Sequence, residues 1–257
     1  MSRVFITGSA EGLGSMAANL LIDQGHDVTL HARSASRAED ALAAAPGATT
    51  AVVADLSSIG QTRRLAEQLN ELQPFDAVIH NAGVGYREPR RILTEDGLEH
   101  IFAVNTLAPY LLTALMSRPK RLVYLSSGLH QQGDVNFEDF QWERRRWNGS
   151  QAYADSKLHD AILAAAVAVR WPGVRANAVE PGWVATKMGG RGAPDDLMQG
   201  PVTQAWLAVS DDAQALTTGG YFYHRQPREP HPAMHDPTAQ QGLLDACAAL
   251  TSVVLPE

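Results

Sequence analysis

The sequence predicts an α/β fold in which a mostly parallel, seven-stranded sheet is covered by helices on both faces. Short runs rich in β-branched residues alternate with longer alanine-rich segments of helical periodicity, which is typical of parallel sheets with crossover helices. Several of the strands are almost wholly apolar, as expected of strands buried on both faces. Because no internal repeat or Gly/Ser-rich linker interrupts this pattern, we expect one domain over residues 1–257.

The elements follow from this alternation in chain order. The predicted strands are residues 3–7, 27–31, 50–54, 76–81, 121–126, 175–179 and 220–223. The predicted helices are residues 14–24, 36–45, 58–72, 95–117, 152–171 and 201–210. Two long stretches, residues 128–151 and 188–200, break the pattern, and loops of that length in a compact domain are usually functional or mobile.

Composition limits the classes of partner. The hydrophobic fraction of 45% and the charged fraction of 19% are those of a globular protein. The net charge of -7 argues against a nucleic-acid partner, and the one basic run, Arg144 to Arg146, is interpreted as a solvated loop rather than a phosphate-binding patch. Cys247 is the only cysteine, which rules out an intrachain disulfide and fits a reducing compartment.

The sequence contains no clear signal for targeting, membrane insertion or metal binding. The first strand begins directly after Met1 and Ser2, so we expect no secretory leader and a cytoplasmic protein. The longest apolar stretch, residues 161–169, is far short of the roughly 20 residues that a membrane-spanning helix needs. The histidines share no ligand spacing, so no metal site is expected.

A glycine-rich turn joins the first strand to the first helix. Gly8 and Gly12 would let the backbone turn tightly and approach a pyrophosphate, and Gly14 would let helix and strand pack closely. The N-terminus of the helix offers free N–H groups to an anion. This context predicts a Rossmann-type dinucleotide site. Its candidate residues, all in this turn, are Thr7, Gly8, Ser9, Glu11, Gly12, Leu13 and Gly14.

The end of the second strand indicates which dinucleotide binds. An acidic side chain there accepts from the ribose 2′-hydroxyl of NAD, whereas a basic one accommodates the 2′-phosphate of NADP. The strand has no acid at its end, and Arg33 offers a guanidinium fork that suits phosphate. We therefore expect NADP(H), with NAD less favoured, although Arg33 stacking on adenine or facing solvent is the alternative.

The ends of the third and fourth strands add further candidates for the cofactor. Asp55, followed by Leu56, is placed to accept from an adenine amino group and equally to cap the next helix. Asn81, Ala82 and Gly83 follow the fourth strand, and their small side chains allow the backbone to approach a cofactor closely.

Ser127, Tyr153 and Lys157 predict acid/base chemistry. Tyr153 and Lys157 are four residues apart on a predicted helix and so share one face. An ammonium beside a phenol lowers the pKa of that phenol, which makes it a usable acid or base. Ser127 ends the fifth strand and would hold the substrate oxygen, with Ser126 as the alternative. A Tyr and a Lys four residues apart on a helix are common in proteins. Their position in the chain after a glycine turn, an Asn-Ala-Gly segment and a serine is not common.

In this order the motifs resemble those of the classical short-chain dehydrogenase/reductase family over essentially the whole chain. Matching positions are the Thr7 to Gly14 turn, Asn81 to Gly83, Asn105, Ser127, Tyr153 and Lys157. The resemblance implies that Asn105 distorts its helix and holds a water that links Lys157 to solvent. It also implies that Pro181, Gly182, Val184 and Thr186 lie beside the nicotinamide. The long Ser-to-Tyr gap, the Tyr153-x-x-Ser-Lys-Leu motif and the C-terminal extension resemble the retinol-dehydrogenase-like branch.

The resemblance implies hydride transfer between NADP(H) and a carbonyl or alcohol carbon of a small, apolar substrate. Tyr153 would be the acid/base, Ser127 would orient the oxygen, and Lys157 would bind the nicotinamide ribose. Residues 1–120 would mainly bind the cofactor, and residues 121–257 would carry the catalytic residues and substrate loops. The family also implies a homodimer or homotetramer built on residues 95–117 and 152–171. A non-catalytic NADP(H) sensor with a protein partner is the alternative.

Overall fold

The core is one sheet of eight strands, seen in a computed structural model that describes residues 1–72 and 74–257. The strands lie in the order β3-β2-β1-β4-β5-β6-β7-β8. They are β1 (Arg3–Ile6), β2 (Asp27–Ala32), β3 (Thr50–Val53), β4 (Ala77–His80), β5 (Arg121–Leu125), β6 (Arg175–Glu180), β7 (Tyr221–Tyr223) and β8 (Gln226–Pro227). The predicted α/β fold with seven parallel strands is confirmed, and the unpredicted β8 adds a short antiparallel edge.

The strand order reverses between β1 and β4. Ile6 of β1 pairs with Leu30 of β2 on one side and with Ile79 of β4 on the other. Because these strands are parallel, their carboxyl ends meet at one edge of the sheet. The crevice beyond that edge, at the point of reversal, is where open α/β sheets bind ligands.

Two layers of helix cover the sheet. The helices are α1 (Gly12–Asp23), α2 (Ala35–Ala44), α3 (Ile59–Glu71), α4 (His100–Phe102), α5 (Ala108–Leu115), α6 (Gly149–Arg170), α7 (Val202–Val209) and α8 (Pro237–Thr251). On one face of the sheet, α1, α2 and α7 form an apolar core that includes Leu21 and Leu207. On the other face, α3, α5, α6 and α8 form a second core that includes Leu65 and Ile162. The sequence pattern did not predict α8.

The helix predicted over residues 95–117 begins later and is interrupted. Glu99 is its N-cap, with the carboxylate accepting from the N–H groups of Ile101 and Phe102. Between α4 and α5 the chain forms a π-helical turn, Ala103–Leu107. Such turns are rare and often mark functional sites. The distortion inferred at Asn105 therefore has a defined form here.

Helix α6 lies in the interior of the folded protein. Apart from Ser150 and Gln151, every residue from Gly149 to Val167 is buried. The covering elements include α8, whose Leu243, Leu244 and Cys247 belong to the same apolar core as α6. The chain's own α8 thus covers part of α6, one of the two segments on which the family resemblance bases an oligomer. The dimer or tetramer stays a prediction.

The insertion that follows β5 is fixed to α6 by charge. It begins as a 3₁₀ helix, Gly128–Gln132. Farther along, the Arg145 guanidinium lies 3.1 Å from the carboxylate of Asp155 on α6 and 3.7 Å from the ring centre of Trp142. Arg145 thus anchors the insertion, whereas Arg144 and Arg146 are exposed.

Candidate active site

The turn after β1 has the close contacts that its glycines predict. Gly8 and Gly12 have φ of 62° and 61°, a region that other residues rarely adopt. A Cβ on Gly14 would lie 2.5 Å from the carbonyl oxygen of Gly8, so only glycine lets the helix start this close to the strand. A Cβ on Gly12 would meet no atom of the described residues within 4 Å, so the turn is open on that side.

The side chains of His31 and Ser9 hold the glycine turn by hydrogen bonds. His31, at 3% exposure, accepts from the N–H of Gly8 through Nδ1 at 2.9 Å and lies 3.0 Å from the carbonyl oxygen of Ala54 through Nε2. Both contacts require the neutral ring with its proton on Nε2. The Ser9 hydroxyl donates to the carbonyl of Ile6 and accepts from the N–H of His31. Ser9 thus contributes its side chain to the turn rather than to a ligand.

Asn81 ties the end of β4 to the same turn. Its amide donates to the carbonyl oxygens of Thr7 and Gly8 at 2.9 and 3.0 Å. The Thr7 hydroxyl in turn accepts from the N–H groups of Asn81 and Ala82, both at 3.0 Å. These side chains therefore fix the turn after β1 to the end of β4, where the sequence predicts a cofactor site.

Arg33 follows β2 and is exposed, and none of the described residues forms an ion pair or hydrogen bond with its side chain. Arg37, one turn later, is instead 2.8 Å from the carboxylate of Glu11 in the glycine turn. Lys187 lies 3.8 Å from the same carboxylate. The acid in the turn is thus neutralised by two cations, and Arg33 stays available.

Asp55 and Leu56 follow β3. One Asp55 oxygen accepts from the N–H of Ser57 at 2.9 Å, whereas the N-cap of α3 is Ser58. The expectation that Asp55 caps that helix is therefore wrong, because the N-cap position lies three residues later, at Ser58, and the helix begins at Ile59. Leu56 is buried, and its side chain belongs to the apolar core.

Tyr153, Ser127 and Lys157 come together as predicted. The Ser127 hydroxyl lies close enough to the Tyr153 phenol to lower the pKa of that phenol. The Lys157 ammonium lies 5.8 Å from the centre of the Tyr153 ring. Ser126 points the other way, because its hydroxyl is buried and donates to the backbone oxygen of Lys157 at 2.7 Å. The geometry therefore favours Ser127 over Ser126.

The pKa of Tyr153 differs from the sequence-based expectation. Burial of the phenol raises its pKa, and this outweighs the lowering effects of Lys157 and Ser127; Asp160 adds to the rise. Since desolvation disfavours the phenolate, the protein alone does not depress the phenol pKa as the motif suggested. The interactions that would lower it are nevertheless in place.

Lys157 is buried, and its ammonium donates two hydrogen bonds within the protein interior. Its ammonium donates to the carbonyl oxygen of Leu125 at 2.7 Å and to Asp160 Oδ2 at 2.8 Å. The Lys157 and Asp160 side chains are only 5% and 3% exposed. Asp160 raises the pKa of Lys157 against the opposing effect of burial. No sequence motif had pointed to Asp160; its spacing of three from Lys157 was the available signal.

Asn105 connects the π-helical turn to the active site. Its side-chain oxygen accepts from the N–H of Val84 at 2.8 Å, and its amide donates to the Ser156 hydroxyl at 3.0 Å. A Cβ on Gly83 would lie 3.4 Å from Asn105 Oδ1 and 3.5 Å from Lys157 Nζ. The glycine thus leaves a gap between Asn105 and Lys157, which suits the water inferred there.

The loop after β6 folds back on itself beside the site. Gly182 has φ of 84°, and a Cβ there would lie 2.8 Å from Asp195 Oδ2. That carboxylate accepts from the N–H of Trp183 at 2.6 Å, and Val184 forms a β-bridge with Asp195. The Thr186 hydroxyl accepts from the N–H of Gly189 at 3.1 Å. The Pro181 to Thr186 segment thus has a fixed shape at the carboxyl end of β6.

Three residues near Tyr153 were not predicted from the sequence as part of the site. The Tyr86 ring packs edge-on against Tyr153 at 5.6 Å, and its hydroxyl reaches the backbone oxygen of Met188 at 3.4 Å. Behind Ser127, the Tyr221 hydroxyl lies 3.1 Å from the Ser127 carbonyl oxygen and 3.2 Å from Glu180 Oε2. These side chains carry no motif, because only the fold brings them to this edge.

Protonation of His31 should weaken the fold. Burial lowers its pKa to about 4, so between pH 6.5 and 4 the unfolded chain binds a proton that the folded chain does not. The resulting stability is present above pH 6.5 and is lost as pH falls toward 4. We expect the stability difference between wild type and His31→Asn, from urea unfolding, to shrink by about 3 kcal/mol between pH 7 and 4. The exposed His235→Asn should show no such change, and a constant difference for His31→Asn would contradict the role.

Comparisons with known proteins agree with this geometry. The short chain dehydrogenase family model matches residues 2–196. An uncharacterized oxidoreductase from Emericella nidulans is 44% identical over 260 residues, which cover 100% of this chain and 99% of that protein. Retinol dehydrogenase 13 from Homo sapiens is 30% identical over 285 residues, covering 98% of this chain and 85% of the human protein.

One solved structure extends the agreement to three dimensions. An uncharacterized protein from Mycobacterium paratuberculosis superposes with a TM-score of 0.87 at 27% identity, covering 100% of this chain and 96% of that one. No helix among the described residues is long and apolar enough to cross a membrane. The chain belongs to the short-chain dehydrogenase/reductase family, oxidoreductases of alcohol and carbonyl groups, in its retinol-dehydrogenase-like branch.

Proposed function

We propose that this protein is an NADP(H)-dependent oxidoreductase that interconverts a carbonyl and an alcohol on a small, apolar substrate. The observation that carries the proposal is the cluster of Ser127, Tyr153 and Lys157 at the carboxyl edge of the sheet. It adjoins a glycine turn suited to a dinucleotide. The sensor alternative has no observation in its favour, because the reacting groups are complete.

The residues present fit a nicotinamide dinucleotide. Helix α1 begins without a side-chain cap, so its first N–H groups are free to bind a pyrophosphate. A side chain at Gly83 would fill the space beside Lys157 and Asn105, and glycine leaves it open. Asp55 and Leu56 would contact the adenine, Arg33 the 2′-phosphate, and Pro181, Gly182, Val184 and Thr186 the nicotinamide end. Bound there, the nicotinamide supplies or accepts the hydride.

The chain's own residues handle the oxygen and its proton. Ser127 donates a hydrogen bond to the substrate oxygen and holds it against Tyr153. In reduction, Tyr153 gives its phenolic proton to that oxygen, and in oxidation the phenolate takes it back. Lys157 stabilises the phenolate and binds the ribose. Asn105 holds the water through which the proton is replaced.

The surroundings of Tyr153 support an apolar substrate. Tyr86 covers one side of the phenol, and Met188 lies against Gly85. Trp183, 57% exposed in the loop after β6, offers an aromatic surface at the entrance. A cytoplasmic location, an oligomer and the split into cofactor-binding residues 1–120 and catalytic residues 121–257 stay predictions.

Loss of the Tyr153 hydroxyl should slow turnover strongly while leaving the fold intact. General acid catalysis contributes about 10² to 10⁴ in rate, so Tyr153→Phe should lower kcat by that factor for any carbonyl that wild type reduces. Consumption of NADPH, followed by absorbance, measures it. Tyr110→Phe is the control, because that buried hydroxyl donates to the backbone oxygen of Val253. Equal kcat for wild type and Tyr153→Phe would exclude Tyr153 as the acid.

Arg33 should set the choice between NADPH and NADH. Replacing its guanidinium with a neutral amide in Arg33→Gln removes a charge-assisted contact to the 2′-phosphate. We expect the Kd for NADPH to rise at least tenfold and the Kd for NADH to change little, as measured by cofactor fluorescence. Arg118→Gln, before β5 at the opposite edge of the sheet, is the matched control. If both cofactors weaken equally, Arg33 does not recognise the phosphate.

A further inference from the structure

A buried acid stands directly behind the catalytic lysine. Asp160 lies three residues after Lys157 on α6, and its Oδ2 is 2.8 Å from the ammonium. We propose that Asp160 is a positioning residue, the counter-ion that holds Lys157 charged and directs its free N–H toward Tyr153 and the cofactor. The inference rests on the proposed function and adds to it a residue outside the motif.

The Lys157 ammonium has fixed acceptors for two of its N–H groups. An ammonium has three N–H donors. The Leu125 carbonyl and Asp160 Oδ2 take two of them, at 2.7 and 2.8 Å. The third is left for the side where Tyr153 and the gap at Gly83 lie. Two fixed acceptors thus determine where the remaining proton points.

The titratable groups around Asp160 leave Lys157 as its charged partner. On α6 it faces Lys157 and Tyr153, and from β5 it faces Tyr124. The Tyr124 hydroxyl bonds Thr113, which in turn contacts His80 of β4. Burial raises the pKa of Tyr124 and lowers that of His80 to about 3, so both are neutral. Lys157 is therefore the one charged partner of Asp160 among these groups.

Without Asp160 the ammonium would be an uncompensated buried charge. Such a group sheds its proton as pH rises, because desolvation lowers the pKa of an isolated buried lysine. A neutral Lys157 would stabilise the Tyr153 phenolate less than the charged ammonium does, and it would bind a ribose more weakly. The role of Asp160 is therefore visible in how activity and cofactor binding depend on pH.

The test compares two isosteric variants of buried acids on the same helix. Asp160→Asn removes the counter-ion, and Asp155→Asn removes an acid that pairs with Arg145 and is also only 4% exposed. We expect the ratio of kcat for Asp160→Asn to that of wild type to fall at least tenfold between pH 6 and 9, with NADPH and an aldehyde. The same ratio for Asp155→Asn should not vary with pH.

A binding measurement separates this inference from the proposed function. The Kd of NADPH, measured by fluorescence, should rise with pH for Asp160→Asn more steeply than for wild type or Asp155→Asn. If wild type turns over no carbonyl, the proposed function fails while this measurement still tests Asp160. Parallel pH dependence of Kd and kcat in all three proteins would overturn the positioning role.

A double variant covers the case in which Asp160→Asn folds poorly. Lys157→Met with Asp160→Asn removes both charges, so no buried ammonium is left unpaired. We expect the double variant to melt at a higher temperature than Asp160→Asn alone. If the double variant melts no higher, Lys157 and Asp160 are not coupled and the inference is wrong.

Discussion

The burial of α6 is the constraint on which the active site depends. A helix that is packed on nearly all sides fixes Tyr153 and Lys157 in place, since neither side chain can turn away without opening the core. The same packing takes the lysine out of water. Its ammonium must then be satisfied from within, and the Leu125 carbonyl and Asp160 do so. The burial of α6 therefore both fixes the positions of the Tyr153 and Lys157 side chains and imposes the desolvation cost on the lysine ammonium.

The first turn follows the same principle on the other side of the site. Its backbone shape, which glycine permits, is held by side chains from three strands: Ser9 after β1, His31 in β2 and Asn81 after β4. Each of these groups is neutral and hydrogen-bonded, and the acid in the turn, Glu11, is paired with Arg37 and Lys187. The positive end of α1 and the free Arg33 are then available for an anionic ligand.

Most of the fold and the central residues could be predicted because they depend on local or periodic signals. Seven strands alternate with helices in a readable pattern, and the glycine turn and the Tyr153/Lys157 pair each lie within one element boundary or one helical turn. The sequence could not decide between Ser126 and Ser127, because the two neighbours have the same chemistry and differ only in the direction of their side chains.

What the sequence could not show is long-range packing. Helix α8 was missed because its role depends on α6, which lies far away in the chain. Tyr86, Glu180 and Tyr221 come from three different segments and meet only in the folded protein. The direction of the Tyr153 pKa was wrong because a motif shows the neighbouring charge but not the burial that opposes it. Asp160 was overlooked for the same reason.

Isotope transfer tests hydride exchange at this site most directly. The purified protein is incubated with NADPH deuterated at nicotinamide C4, prepared as each of the two stereoisomers, and a carbonyl that it reduces. The alcohol is then analysed by mass spectrometry. We expect one stereoisomer alone to place deuterium on the former carbonyl carbon, because a cofactor held in one orientation presents one face. Oxidation of the cofactor without deuterium in the product would contradict direct transfer.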